Sequence, residues 1–380
     1  MAFYVAALFT LSSARKLSGD EMLALYGEQP PLTTLLHDPA SPPTATLRGA
    51  AAGRLLMGAE SAFYYFSDPP YQPTLYAQYD FTEPENECKM DWTEPSRGVF
   101  DIQNCSSTAT AMRVQGAGRS RSCCIVWGAM AQPDWFAKNP NWTAAELTSI
   151  LQVHTNGTMG SDLLRGQFLA WDVVNEPISD HGGTFKGNTW WPTMGDEYID
   201  TALKFARAAD PAAQLFINDY GGEGAGYPKS EKMYALVKDI LARGTPLDGV
   251  GLQLHVSYNA YPPPATVAAN IARLGALGLK VHITEFDVTC PPAHCNASDP
   301  ASPGFVAQAA LYGQMLQACL NNSGVCTAFN TWGFTDKYSW ETWCGKNPGC
   351  QALPFDHNYT AKAAVNEMVA VLEGHARRAA

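Results

Sequence analysis

The chain is 380 residues long, 46% hydrophobic and only 16% charged, and its 25 Lys and Arg against 36 Asp and Glu give a net charge of −11. That length and composition suit a large buried core, as one barrel or as two or three smaller units, and exclude a disordered chain. The acidic balance, with no Lys/Arg cluster to offset it, argues against a nucleic-acid partner, and no apolar run approaches the roughly 18 residues of a membrane span.

The first segment, Ala2 to Leu11, is apolar and ends in Ser12, Ser13 and Ala14. It has the outline of a short signal peptide cut near Ala14, without the usual basic start. Residues 15–45 contain Pro30, Pro31, Pro39, Pro42 and Pro43 and read as a proline-rich leader, so residues 1–45 are expected to precede a single folded unit over 46–375. A helix-like LRGAAAG from Leu47 then leads into a strand candidate, Arg54–Ala59, with further candidates at Tyr79–Glu85 and Cys123–Trp127. Stronger strand signals follow at Phe168–Asn175, Gln214–Asn218, Gly249–Val256, Lys280–Phe286 and Cys326–Trp332. Helical patterns lie between them. One has Ile199, Ala202, Leu203 and Ala206; another has Met233, Leu236, Val237, Ile240 and Leu241, closed by Gly244; a third has Tyr312, Met315, Leu316 and Cys319.

Alternating strands and helices imply parallel pairing through right-handed crossovers, and eight strands suggest a (β/α)8 TIM barrel as one catalytic domain. An open doubly wound sheet is disfavoured, because no glycine-rich phosphate loop follows the first strand. Ten cysteines include the close couples Cys290/Cys295, Cys319/Cys326 and Cys344/Cys350, with Cys88/Cys105 as a fourth candidate, and connectivity stays open on spacing alone. No CxxC or Cys/His spacing supports zinc, so no metal is expected. Six N-glycosylation sequons, at Asn104, Asn141, Asn156, Asn296, Asn321 and Asn358, join the cysteines in pointing to an oxidising, secretory route and an extracellular protein.

Several apolar strands end in acids and amides. Phe168–Val174 runs into Asn175-Glu176-Pro177, Val281–Ile283 into Thr284-Glu285, and Gly249–Leu254 into His255, with Gln253 two residues earlier. In a barrel these ends form the C-terminal mouth, where active sites lie. Two carboxylates there suit glycoside hydrolysis, one protonated to donate to the leaving oxygen and one ionised to attack or to activate water.

The segments WDVVNEP (171–177), LFINDYG (215–221), GVGLQLHV (249–256), ITEFDV (283–288) and WGFTDKYSW (332–340) together resemble glycoside hydrolase family 10, the retaining endo-β-1,4-xylanases on a (β/α)8 barrel. ENECKMDWTEPSRGVF (85–100) resembles that family's second-strand segment and FDHNYTAKAA (355–364) its closing motif, so the likeness runs from about Thr46 to about Leu372. WGAMAQPDW (127–135) is similar to plant and algal members. The resemblance implies Glu176 as acid/base and Glu285 as nucleophile, with His255 and Asp287 orienting the nucleophile. It implies Asn175 on the sugar 2-hydroxyl and Glu85, Asn86 and Lys89 as glycon-side contacts. Trp332 and Trp340 would form an aromatic wall, Tyr220 an aglycon platform, and Trp127, Gln132 and Gln253 further cleft contacts. Glu176 needs a raised pKa in the free enzyme, and the negative Glu285 would supply part of it. The substrate implied is β-1,4-xylan or xylo-oligosaccharide, met by a monomer with no cofactor.

Two departures stand out. RSCCIVW (121–127) puts Cys123 where the family carries a sugar-binding histidine, and the spacing from Trp127 to Pro133 differs from the microbial pattern, which weakens the assignment of Gln132. Strand alternation predicts Cys123 on the side of Trp127 and Cys124 toward the helices, or else Cys123 tied up in a disulfide. Cys123 motivates a second reading, a catalytically weak xylan-binding protein. A third is a retaining β-1,4-glucanase on the same frame.

Overall fold

The computed structural model describes residues 18–36, 38, 42–111, 120–180, 185, 188–341 and 349–374. The signal-peptide candidate, Cys344 and the extreme C-terminus lie outside the described residues. The strands are β1 (Leu56–Ser61), β2 (Phe81–Pro84), β3 (Ser120–Trp127), β4 (Phe168–Asn175), β5 (Gln214–Asp219), β6 (Gly249–Leu252), β7 (His255–Ser257), β8 (Lys280–Thr289) and β9 (Cys326–Thr331). They pair in parallel in the order β2-β1-β9-β8-β6-β5-β4-β3, with β7 also on β8. Since β6 and β7 are two segments of one stave, the barrel has eight. It is the (β/α)8 architecture read from the sequence.

The ends of that order, β2 and β3, lie side by side across a seam. Arg121 on β3 spans it, with Nε 3.6 Å from Glu83 on β2 and the guanidinium bonded to Asp172 on β4. All three are buried, and burial raises the pKa of both carboxyls against the pull of the Arg121 charge that they share. They form a polar plug inside a barrel whose outer strand faces are apolar.

The helices follow from local chemistry. Pro228, Pro264 and Pro303 occupy the first helical positions of Pro228–Ala242, Pro264–Gly275 and Pro303–Leu320, where a missing N–H costs nothing. Thr143 and Glu146 form a reciprocal capping box on Ala144–Gly157. The periodic apolar residues Met233, Leu236, Val237 and Ile240 are buried against the strands. The expected single strand Gly249–Val256 breaks at Gln253–Leu254, because Leu254 adopts φ +65° and its N–H donates to Glu223 Oε1 at 3.0 Å instead of to the ladder.

Residues 18–36, read from their prolines as a leader, pack on the barrel. Ser18 caps the helix Gly19–Tyr26, which buries Met22 and Tyr26 in the same core as the strands. The Tyr26 hydroxyl donates to Glu223 Oε2 at 3.0 Å, Gln29 N to Asn259 O at 2.8 Å, and Tyr261 to Pro30 O at 2.8 Å. The prolines suit an extended strap as well as they suit a linker; only the barrel surface distinguishes the two. Met22→Ala is therefore expected to cost about 2–5 kcal/mol in urea unfolding, the range for emptying a buried methionine site. No change would mean the segment is a passenger.

Candidate active site

Asn175 ends β4, and Glu176 leaves it with φ +53°, a left-handed turn rare outside glycine, fixed by Glu176 N donating to Asn218 O at 2.8 Å. The turn presents Glu176 at the mouth. Its Oε2 accepts from Trp127 Nε1 at 3.1 Å, and Oε1 from Gln253 Nε2 at 3.4 Å. Glu285 lies within β8 and is 6% exposed. Its Oε1 accepts from Asn218 Nδ2 at 2.6 Å and its Oε2 lies 3.1 Å from His255 Nε2. Amides join the two carboxylates: Asn218 Nδ2 also donates to Asn175 Oδ1 at 3.0 Å, which accepts from Gln253 Nε2 at 3.3 Å. The Nδ2 of Asn175 has no partner among the described residues, so a donor remains for a sugar hydroxyl.

His255 sits between two acids, with Nδ1 2.8 Å from Asp287 Oδ2. Burial pulls its pKa down, but Asp287 and Glu285 outweigh burial and hold it well above the ordinary imidazole value. The ring is thus an imidazolium that donates from both nitrogens. Trp340 donates to the same Asp287 oxygen at 2.7 Å and packs 4.6 Å from the imidazole. Beyond any sugar wall it forms, it helps hold the Asp287–His255 pair.

On the other flank, Lys89 is buried and donates to Asn86 Oδ1 at 2.8 Å, with its ammonium 5.0 Å from the Trp127 ring and 5.7 Å from Trp332. Burial opposes its charge, but the acidic groups around it, Cys123, Cys124, Glu85 and Glu285, leave its pKa above the usual lysine value. Glu85 accepts from Tyr64 at 2.6 Å and Tyr65 at 3.2 Å. Tyr220, after β5, is buried beneath Lys229, whose Nζ is 3.6 Å from the ring centroid and 2.8 Å from Asp219. Gln132 braces loops: its Nε2 donates to Gly128 O at 2.7 Å and its Oε1 accepts from Thr189 at 2.7 Å.

The cysteine pair departs from strict alternation. Cys123 pairs with Asp172 and Val126 with Val174, so three residues of β3 oppose two of β4 and a bulge breaks the two-residue period. Both thiols are buried, free and in contact, and both lie near Lys89 and Asp172. Cys124 thus touches Cys123 and shares its charged neighbours Lys89 and Asp172, so the two thiols are not split between cleft and helices. Cys88–Cys105, Cys290–Cys295 and Cys319–Cys326 are disulfides. Cys350 is bonded as well.

Asn218, Thr284 and Glu223 escaped the sequence reading. Thr284 Oγ1 donates to Asn218 Oδ1 at 2.7 Å, which turns the amide so that its Nδ2 faces Glu285. Gly251 gives that amide room, since a Cβ there would lie 2.3 Å from Asn218 Oδ1. The available signal for Asn218 was the one that found Asn175, an amide closing an apolar strand.

A parallel barrel with two carboxylates at its C-terminal mouth, one on a histidine–aspartate pair, defines a glycoside hydrolase. Comparisons with known proteins agree. The sequence profile of glycosyl hydrolase family 10 matches residues 47–371, and the chain belongs to that family. It is 34% identical over 325 residues to endo-1,4-beta-xylanase C of Phanerodontia chrysosporium, covering 84% of this chain and 77% of the relative. It is 33% identical over 299 residues to endo-1,4-beta-xylanase B of Thermotoga neapolitana, covering 77% and 80%. Xylanase 10B of Thermotoga maritima superposes with a TM-score of 0.79 at 29% identity, over 87% of this chain and 99% of the other. Xylanase 10B of Thermotoga petrophila RKU-1, solved with xylobiose, also scores 0.79, at 28% identity, covering 88% and 99%.

The His255 geometry carries a pH dependence. Its folded pKa is raised, so its contribution to stability is complete below the unfolded value of about 6.5 and is lost as pH rises through the folded value. The stability of the wild type relative to His255→Gln should therefore be greatest near pH 6 and shrink on the alkaline side, read by urea unfolding across pH. A gap unchanged up to pH 10 would mean a neutral imidazole.

Proposed function

We propose that this protein is a secreted endo-β-1,4-xylanase that cleaves internal xylosidic bonds by double displacement. The observation that carries the reading is the contrast between the two carboxylates. Glu285 is held against the His255 ring and the Asn218 amide, which fix its carboxyl in the barrel as a nucleophile must be fixed. Glu176 meets an indole N–H and a glutamine amide from the cleft side, where it can hold a proton for the leaving oxygen.

In the first step Glu285 attacks the anomeric carbon while Glu176 protonates the departing oxygen; in the second, Glu176 takes a proton from the water that displaces Glu285. The nucleophile's charge is consumed when the glycosyl–enzyme forms, so a negative neighbour faces Glu176 in the first step and not in the second. Retention calls for carboxyl groups about 5–5.5 Å apart. Asn175 is poised for the 2-hydroxyl, and Lys89, Trp332 and Glu85 for the glycon sugars. The xylanase names of the relatives, and the xylobiose bound to one structural neighbour, support xylan as the substrate. Secretion is supported by the disulfides and by the exposure of Asn141, Asn156, Asn296, Asn321 and Asn358; Asn104 is only half-exposed on its helix. The intact acid, nucleophile and orienting pair speak against a binding-only role for the Cys123 substitution.

Reducing-sugar release from xylan, compared with soluble cellulose, tests the substrate. The two glutamates should fail differently. Glu285→Ala should abolish turnover of every substrate, whereas Glu176→Ala should keep the first step on aryl glycosides with good leaving groups and be rescued by azide. Equal losses on such activated substrates, with no azide rescue, would overturn this assignment of roles. Proton NMR should find the β-anomer as first product; an α-anomer would exclude retention.

A further inference from the structure

One carboxyl at the barrel mouth has no role in the chemistry above. Glu60 lies near the end of β1 and is 3% exposed. Its direction follows from the register. Gly58, two residues earlier on the same face, points into the barrel, since a Cβ there would meet Asn330 Oδ1 at 2.5 Å, and Asn330 donates to Glu83 Oε2 at 3.0 Å. Glu60 therefore faces inward too. On one side it pairs with Glu83; on the other, the pairing of Ala59 with Thr331 sets it beside Trp332. A Cβ on Gly333 would lie 3.5 Å from Glu60 Oε2, so the carboxyl reaches the turn that follows Trp332.

The other acids of this flank are occupied. Glu85 accepts from two tyrosines, Glu87 from the N–H groups of Phe63 and Asn86 and from Thr108, and Glu83 from Asn330. Glu60 has no hydrogen bond among the described residues, and its Oε1 is fully buried. A buried carboxyl without a partner is costly unless something arrives to pair with it. Its pairing with Glu83 and its reach to the turn after Trp332 put Glu60 on the glycon flank, whereas the groups that hold the nucleophile Glu285 are Asn218 and His255, on other strands.

We propose that Glu60 is a further glycon-binding residue, whose carboxyl hydrogen-bonds a hydroxyl of the xylosyl unit second from the point of cleavage, held between Lys89 and Trp332. This rests on the xylanase reading and adds a contact to its glycon side. Because the contact belongs to the second sugar, it acts on substrates long enough to fill that position and is silent on those that are not. An amide carbonyl can accept the same hydrogen bond, so Gln can stand in for Glu where Ala cannot.

The test compares an aryl β-xyloside, which has only the sugar under attack, with an aryl β-xylobioside, which has both. Glu60→Ala is expected to lower kcat/KM about tenfold on the xylobioside, mainly through KM, and to leave the xyloside within about twofold. Glu60→Gln should stay within about threefold of wild type on both. Urea unfolding should find Glu60→Ala no less stable than wild type, since the substitution removes an unpartnered buried group. Equal losses on the two substrates, no loss on either, a Gln variant as poor as the Ala variant, or a destabilised Ala variant would each overturn the proposal. Failure of the xylanase reading would look different, because the wild type itself would not turn over the xylobioside.

Discussion

A carboxylate stays ionised inside a ring of apolar strands only if positive charge and donors are aimed at it. Much of this molecule's sequence answers that demand. Glu285 faces the His255 imidazolium and the Asn218 amide; His255 needs Asp287 to keep its proton; Asp287 is in turn held by Trp340. Asn218 needs Thr284 to orient it and Gly251 to leave it space. Deeper in the barrel a single cation, Arg121, serves both Asp172 and Glu83, and burial still holds both carboxyls above the usual carboxylate range. Acidic groups accumulate toward the mouth, and all those placed in the chemistry are met by a cation or a donor from a different strand, while Glu60 is left open.

This dependence explains what could be read from the sequence. Strand ends such as VVNEP and ITEFDV show apolar residues giving way to acids, and that change marks the barrel mouth even though the pairing of β4 and β8 with their neighbours shifts register close to those residues. Asn218 was legible on the same ground and was passed over, because its importance lies in which carboxylate it meets, and that is a property of β5 and β8 together. Glu60 is harder still. A glutamate in MGAES looks like a strand-end surface residue until pairing with β2 and β9 turns it inward.

Other features are set by geometry that a linear pattern does not encode. The bulge between Cys123 and Val126 breaks the two-residue period that would have set the two thiols on opposite faces. The break at Leu254 depends on Glu223, a residue 31 positions earlier, capturing its N–H. Proline content suggests a leader in 15–45, yet Pro30 offers its carbonyl to Tyr261 and residues 18–36 lie along the barrel. Local propensity describes how such a segment is extended; it does not say what it lies against.

The strap also bears on the order in which the chain assembles. Its partners are Glu223, Asn259, Tyr261, Thr289 and Glu367, the last 331 residues from Leu36. During synthesis, residues 18–36 leave the ribosome before any of these exist. They have nothing to bind until the second half of the barrel is made, and contacts of such long sequence separation form late. The helix Gly19–Tyr26, too short to persist by itself in water, spends that interval without a fixed structure and exposes Met22 to whatever meets the nascent chain. A segment made before all of its partners is thus among the last to be folded, and its docking marks the completion of the barrel.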